Sequence, residues 1–286
     1  MKIGSRVAQY LRTLNTSTDE STYREIYPLE SIEEKRFYNI GAGDFSHPCW
    51  TNIDGGSKYY KELYKIKDTG IYHDLFDHLP LPIEDNSAEV IYTSHTIGLI
   101  DDASVNFLFN DCYRMLKPGG ILRIVTPDTD LYYKAWRRND RKFYYWTDEE
   151  IYNSDYEKQC LNIPLSKATL TQVFLEEFAA AASEIALAGS EKRISDKEFE
   201  QLFRDKSYED ALSYCTSLCS IELQKNFPFR HMNWFNEEKL KKMLIISGFK
   251  QPYRSGYQQS ISPVLRNVKF FDKTVPQLSI FMEVVK

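Results

Sequence analysis

The chain has 286 residues, enough for one large α/β domain or two small ones. Its 36 basic residues nearly balance its 41 acidic residues, and the formal net charge is −5. This balance disfavours a broad surface that follows nucleic-acid phosphates, although a local basic patch is compatible with it. No apolar run approaches the roughly 18 residues of a membrane helix, and the first residues lack the apolar core of a signal peptide. We therefore expect a cytoplasmic protein that neither enters a membrane nor binds nucleic acid.

The first half of the sequence alternates between strand and helix patterns. A helical period begins after Asp101 and is predicted to stop at the Lys-Pro-Gly-Gly run of residues 117–120. Another helix is predicted over residues 57–67. Short apolar runs predict strands over residues 36–40, 51–54, 70–74, 88–95 and 121–125. This order predicts an α/β fold with a mainly parallel sheet that is covered on both faces.

Residues 131–230 break this alternation and are rich in helix patterns. We interpret this segment as a helical insertion or cap. Its clearest apolar stripe consists of Leu170, Phe174, Phe178, Ala181 and Ile185. The sheet pattern then returns, with a helix over residues 237–247 and a last strand over residues 278–286.

The five cysteines are scattered along the chain, and their number is odd. Cys215 and Cys219 are four residues apart on a predicted helix and would share a face. No further Cys or His lies close to them in the sequence. We therefore expect reduced thiols that serve packing, and no metal site.

A glycine turn follows the first predicted strand, with Gly41 and Gly43 in the sequence IGAGDFS. A turn without β-carbons lets backbone N–H groups approach a ligand, but a plain tight turn has the same pattern. A dinucleotide site would need a third glycine where Ser46 stands and an acid about 20 residues further on. Asp54 instead follows Gly43 by eleven residues, and no Gly-Lys-Ser/Thr sequence follows. The turn therefore fits NAD or ATP badly.

The same turn suits a nucleoside that has no pyrophosphate. Asp54 ends the second strand and can accept two hydrogen bonds from a ribose diol. Asp74 ends the third strand and can accept one from an adenine amino group. Ligands of open α/β sheets bind outside the carboxyl ends of the strands, where all these residues are predicted to lie.

Several stretches now resemble a known family. YNIGAGDFSHPCWTNID, HDLFDHLPLPIEDNSAEVIYTSH and DCYRMLKPGGILRIVTPD are similar to a class I S-adenosylmethionine-dependent methyltransferase. The C-terminal stretch FRHMNWFNEEKLKKMLIISGFK and the end of the chain resemble the branch found in surface-polysaccharide gene clusters. The resemblance implies a Rossmann-like, mainly parallel seven-stranded sheet with an antiparallel last strand. The resemblance covers roughly residues 36–130 and 227–286. The predicted domains are a core of residues 1–130 and 231–286, with residues 1–30 as a helical extension, and the insertion of residues 131–230.

The resemblance also implies the contacts of the cofactor, S-adenosylmethionine. They are Gly41, Ala42 and Gly43 at the methionine end, Asp54 at the ribose, Asp74 and Leu75 at the adenine, and Ser94 and His95 near the sulfonium.

One departure from the branch concerns proton transfer. The branch usually has a Glu-His pair where this chain has Gly98 and Leu99, which cannot accept protons. Two functions therefore stay open. The first is O-methylation of a sugar, a polysaccharide or another small hydroxyl compound. The second is cofactor binding without turnover, in a regulatory or structural role.

Three residues are candidate bases for a hydroxyl acceptor. His95 leads because it follows the fourth strand, next to the implied sulfonium. Asp128 follows the fifth strand, and His231 lies where the insertion ends. His95 also has a structural reading as a packed or helix-capping histidine, and Asp128 has one as a Thr-Pro-Asp turn. His231 could likewise be structural. We expect structural or solvent-facing roles for the remaining histidines, His47, His73 and His78.

Residues 132–146 interleave aromatic and basic side chains. They could stack on sugar rings or hold an acidic acceptor. They could equally form a helix with a buried aromatic face and a solvated basic face. Nucleic acid fits less well because the stretch is short and the chain is acidic. We expect a small-molecule or glycan acceptor, and a homodimer stays open.

Overall fold

The computed structural model describes residues 19–58, 62, 70–148 and 155–286. Most of the helix predicted over residues 57–67 lies outside these ranges, as does the start of the predicted N-terminal extension. The described residues fall into two compact units. We call them the sheet unit, within residues 1–94, 106–125 and 240–286, and the helical unit, within residues 95–105 and 126–239.

A seven-stranded sheet forms the centre of the sheet unit. Its strands are β1 (Phe37–Ile40), β2 (Trp50–Asp54), β3 (Ile71–Tyr72), β4 (Ala88–Ser94), β5 (Leu116–Pro127), β6 (Lys250–Arg254) and β7 (Ser279–Val285). Their order is β3-β2-β1-β4-β5-β7-β6. The pairs from β3 to β5 are parallel, and β6 and β7 are antiparallel. This confirms the predicted Rossmann-like class.

The strand order reverses direction at β1, which lies between β2 and β4. In open α/β sheets this reversal opens a crevice at the carboxyl ends of the strands. All four residues of β1 are buried, as expected for a strand that is covered on both faces. Phe37 packs with Trp50, Val90 and Phe271 in one aromatic core.

The described helices have the following bounds. They are α1 (Asp19–Ile26), α2 (Leu29–Glu33), α3 (Asp102–Met115), α4 (Thr129–Arg137), α5 (Asp155–Cys160), α6 (Leu170–Glu176), α7 (Asp196–Asp205), α8 (Tyr208–Ser217), α9 (Ile221–Asn226) and α10 (Glu237–Ile246). Among the described residues, no helix is both long enough and apolar enough to cross a membrane.

The Lys-Pro-Gly-Gly run follows the end of a helix, as predicted, and is itself part of a strand. Helix α3 ends before it, and residues 117–120 belong to β5. The Gly119 amide donates to the Lys286 carbonyl, and the Lys286 amide donates to the Gly120 carbonyl. The two glycines therefore extend the ladder at the end of the chain.

The predicted stripe from Leu170 to Ile185 does not lie on one helix. Helix α6 ends at Glu176, and a separate 3-10 turn forms over Ala180–Ala182. The apolar spacing does not mark one helix face here, because this segment is buried on all sides.

The prediction that Cys215 and Cys219 share a helix face is wrong, because Cys219 lies beyond the end of α8. All five cysteines are free thiols.

The predicted domain boundaries at residues 130 and 231 differ from the limits of the two units. The helical unit also includes residues 95–105 and extends to residue 239. Whether its central segment acts as a cap stays a prediction.

Candidate functional site

The glycine turn and Asp54 form one hydrogen-bonded structure in the sheet unit. Gly41 and Gly43 have φ angles of 69° and 55°, in the left-handed region that favours glycine. The two carboxylate oxygens of Asp54 accept from the Gly43 amide at 3.0 Å and from the Gly56 amide at 2.8 Å. The carboxylate thus holds the turn, and each oxygen keeps a further lone pair for a ligand.

The turn does not offer all of its amides to a ligand, contrary to the simplest prediction. The Gly41 and Ala42 amides donate to the Ile53 carbonyl at 2.9 and 3.3 Å, and Gly43 donates to Asp54. The turn therefore provides space for a ligand, because Gly41 and Gly43 have no side chains. This accords with a ligand that has no pyrophosphate to bind through a row of N–H groups.

Asp74 follows the short strand β3 and begins a 3-10 turn over Leu75–Asp77. Its Oδ1 accepts from the Phe76 amide at 2.9 Å. The His73 amide donates to the Asp54 carbonyl at 3.1 Å, which links the ends of β2 and β3. Asp74 and Leu75 are half-buried and follow directly from this link.

The end of β4 carries a polar atom that sequence reasoning missed. Thr93 pairs in register with Ile40, the last residue of β1, and is 2% exposed. Its Oγ1 has no hydrogen-bond partner in the described structure. A buried hydroxyl without a partner is costly, and functional sites are where proteins retain such groups. Thr93 and the neighbouring Ser94 thus fit a polar ligand at the end of β1.

His95 and Asp128 directly follow strands β4 and β5, and both belong to the helical unit. His95 has a φ of 54°, a conformation that is uncommon for a residue with a β-carbon. Asp128 is 1% exposed, and its Oδ1 accepts from the Asp130 amide at 3.2 Å as the N-cap of α4. The Thr-Pro-Asp sequence, predicted as a turn in the structural alternative for Asp128, thus forms the N-cap of a helix.

Gly98 and His231 lie against each other in the helical unit. A β-carbon built at Gly98 would lie 3.1 Å from His231 Cδ2 and 3.9 Å from Thr126 Oγ1. The Gly98 carbonyl accepts from the Met232 and Asn233 amides at 2.9 and 3.2 Å. The imidazole thus occupies the space that a larger residue at position 98 would need. Burial lowers the pKa of His231 to about 4, so the ring is neutral at pH 7.

His231 also lines a small pocket in the helical unit, which we call the Phe227 pocket. It is lined by Ala181, Cys219, Ser220, Leu223, Gln224, Phe227, Arg230, His231 and Met232. His231 therefore borders both Gly98 and the pocket. Sequence reasoning found His231 but not the pocket, because its lining comes from separate segments without a shared motif.

Residues 132–146 are mainly a packing surface. Helix α4 ends at Arg137, and a 3-10 segment covers Arg141–Thr147, so that the stretch is not one helix. Tyr132 and Tyr144 are buried, while Lys134 and Arg137 are exposed. This arrangement matches the structural interpretation of a buried aromatic face and a solvated basic face.

The remaining histidines lie in the sheet unit. His47 is buried and bonds to Asp19, and its Nδ1 accepts from the Cys49 amide at 3.1 Å. His78 is exposed and stacks on Phe107. Within the described ranges, no group of three or more His, Cys, Asp or Glu side chains could hold a metal ion.

Comparisons with known proteins give a match over part of the chain. Residues 56–124 match the family model of a methyltransferase domain. Two similar solved structures are the S-adenosylmethionine-dependent methyltransferases of Thermotoga maritima and Mesorhizobium loti, at 12% and 14% identity and a TM-score of 0.40 each. The alignments cover 100% and 96% of this chain and 97% and 100% of those chains. The match to the family model covers less than half of the chain.

A third solved structure, at 12% identity, is phosphoethanolamine N-methyltransferase 2 of Haemonchus contortus in complex with S-adenosylmethionine. The alignment covers 87% of this chain and 48% of that chain, with a TM-score of 0.35. No curated protein sequence matches the chain.

Proposed function

We propose that this protein is an O-methyltransferase that takes its methyl group from S-adenosylmethionine. The observation that carries the proposal is the glycine turn held by Asp54 at the point where the strand order reverses. The match of residues 56–124 to a methyltransferase domain supports it independently, because that match begins after the turn and after Asp54.

The residues at the strand ends fit the cofactor part by part. Gly41, Ala42 and Gly43 leave space for the methionine end. The free lone pairs of Asp54 can accept from the ribose hydroxyls, while Asp74 and Leu75 border the adenine. Thr93 adds a buried hydroxyl that lacks a partner. Ser94 and His95 complete the set near the sulfonium.

The bound cofactor supplies an activated methyl group on a sulfonium sulfur. The chain must bind and orient the acceptor, exclude water and take the proton that a hydroxyl acceptor loses. Orientation contributes several kcal/mol in such reactions, and a general base about 10²–10⁴-fold. Candidate bases are His95, Asp128 and His231, and all three lie in the helical unit.

A second candidate function is cofactor binding without turnover. Gly98 and Leu99 favour binding without turnover, because they stand where the branch usually has a Glu-His pair that could transfer protons. Four further points stay predictions in either case. They are a surface-polysaccharide pathway, a glycan acceptor, a cytoplasmic location and a homodimer.

Conversion of S-adenosylmethionine to S-adenosylhomocysteine distinguishes the two functions. The protein is incubated with labelled cofactor and the low-molecular-weight fraction of a cell extract, and the products are separated by chromatography. The proposal predicts S-adenosylhomocysteine together with a methylated small molecule. Cofactor binding with no conversion would favour the second function, and neither binding nor conversion would contradict both.

A further inference from the structure

Residues 44–49 lead from the glycine turn to strand β2 and form a loop within the sheet unit, which we call the 44–49 loop. The Phe45 amide donates to the Ala42 carbonyl at 3.0 Å and joins the loop to the turn. On β2, Asn52 Nδ2 donates to the Phe45 carbonyl at 2.6 Å. Ala42 is one of the residues proposed for the methionine end of the cofactor. The position of the 44–49 loop therefore affects that end of the proposed site.

His47 lies within this loop, and its side chain is only 1% exposed. Its Nδ1 accepts from the Cys49 amide at 3.1 Å, so this nitrogen carries no proton. The ring proton is therefore on Nε2, which bonds to the Asp19 carboxylate. The backbone of the loop thus sets the tautomer with which His47 donates to Asp19.

Asp19 is the first described residue of α1 and contacts two other segments of the sheet unit. Its Oδ2 bonds to His47, and its Oδ1 accepts from Asn267 Nδ2 at 2.9 Å. One turn further along α1, the hydroxyl of the fully buried Tyr23 accepts from Trp50 Nε1, at the start of β2. Helix α1 therefore holds the 44–49 loop itself and the strand that follows it.

Three aromatic rings surround the imidazole of His47. The ring centroids of Tyr23 and Phe270 lie 5.1 and 4.6 Å from that of His47, and Phe45 stacks on it at 6.4 Å. In such surroundings a hydrogen bond is stronger than in water, and a polar group that loses its partner is costly. Because the side chain is buried, water does not easily replace a lost partner. The bond to Asp19 is thus a specific link between the loop and α1.

We propose that His47 is a positioning residue for S-adenosylmethionine, which couples the docking of α1 to the 44–49 loop and so to cofactor binding. This inference rests on the proposed function and adds to it a regulatory role for α1. With α1 docked, the loop keeps the glycine turn in the shape that leaves space for the methionine end. Coupling between two equilibria is reciprocal, so the bound cofactor in turn stabilises the docked helix.

Substitutions at the two ends of the bond test this coupling by titration calorimetry with S-adenosylhomocysteine. His47→Ala and Asp19→Ala should each weaken binding by about tenfold, within the range of coupled sites. The double variant should bind no more weakly than either single variant, because both changes remove the same link. His47→Gln keeps a donor for Asp19 and should bind within about threefold of wild type. Glu20→Ala is the control, since Glu20 pairs with Arg24 at the surface, and should bind within about twofold.

Hydrogen exchange of the full chain measures the reciprocal effect. We expect S-adenosylhomocysteine to slow exchange of the α1 amides in wild type and in Glu20→Ala. The protection should exceed that of β6, which lies at the far edge of the sheet and reports general stabilisation by the ligand. In Asp19→Ala the additional protection of α1 should be lost. A histidine with a purely structural role would lower stability without this dependence on ligand.

The outcomes separate this inference from the proposed function. If folded His47→Ala and Asp19→Ala proteins bind S-adenosylhomocysteine as tightly as wild type, the coupling is wrong while the proposed function stands. If wild type does not bind it, the proposed function fails and this inference fails with it. If the variants do not fold, exchange in wild type decides, and equal protection of α1 and β6 would contradict the coupling.

Discussion

The side chain of Thr126 is expected to lower the stability of the fold. It is fully buried at the end of β5, and its hydroxyl has no partner in the described structure. Leaving a buried hydroxyl unpaired costs about 1–3 kcal/mol. A protein selected for stability alone would carry valine there, since valine has nearly the same shape.

We predict that Thr126→Val raises the free energy of unfolding by about 1 kcal/mol. The matched change Thr171→Val should lower it, because the Thr171 hydroxyl accepts from Trp136 Nε1 at 3.1 Å and that donor would lose its partner. Urea denaturation at pH 7 measures both. A lower free energy of unfolding for Thr126→Val would show that the Thr126 hydroxyl has a hydrogen-bond partner.

His231 should make the protein sensitive to acid. Its pKa is about 4 in the folded chain and about 6.5 when unfolded. Between these values the unfolded chain binds the additional proton, so the contribution of His231 to stability falls as the pH falls from 6.5 to 4.

We therefore predict that His231→Gln loses less stability than wild type on acidification through this window. Urea denaturation of both proteins at pH 7 and at pH 4.5 gives the comparison. Equal losses in the two proteins would show that the pKa of His231 is not lowered.

Among the elements, β5 and β7 are tied together by a buried charge network. Arg123 is fully buried and bonds to Glu283 on β7 at 2.8 Å and to Asp272 before β7 at 2.5 Å. Tyr253 on β6 donates to Glu283 at 2.6 Å. The guanidinium therefore connects β5 directly to β7, and Glu283 links this pair to β6.

We predict that Arg123→Met costs about 3–5 kcal/mol, because it leaves two buried carboxylates without their cation. Arg24→Met is the control, since Arg24 pairs with Glu20 at the surface and should change stability little. Denaturant unfolding of both variants measures the difference. A loss for Arg123→Met no larger than for the control would mean that the network is dispensable.

The strands and helices of the sheet unit could be predicted because their sequences repeat with clear periods. Phe37–Ile40 is a short, mostly apolar run that ends at Gly41, and Val105, Leu108 and Cys112 follow a helical period. The helical unit was harder to predict because residues 170–185 are buried on all sides, so that no period marks where α6 ends. Local sequence carries no signal for burial that comes from distant segments.

At the candidate site, Gly41, Gly43 and Asp54 were found because strand-end glycines and acids form a local pattern. Thr93, Thr126 and Arg230 were not found, because nothing local distinguishes a buried polar group that lacks a partner from one that has one. The contact of His231 with Gly98 joins residues 133 positions apart in the numbering. Only the fold reveals it.

For the molecule as a whole, the proposed function depends on which nucleotide the sheet unit binds. The turn has engaged amides, no third glycine and a carboxylate with free lone pairs, an arrangement that favours a nucleoside without pyrophosphate. Asp54 also holds the turn, so its loss should affect binding both directly and through the turn.

Titration calorimetry with S-adenosylhomocysteine and with NAD tests this claim most directly. We predict that wild type binds S-adenosylhomocysteine and not NAD, and that Asp54→Ala weakens binding by about 1–3 kcal/mol, or about 5- to 150-fold. Asp77→Ala, at an exposed acid just beyond Asp74, should bind as wild type does. Two results would contradict the assignment of S-adenosylmethionine as the cofactor. One is no binding of S-adenosylhomocysteine by the folded wild-type protein at millimolar ligand, and the other is tighter binding of NAD.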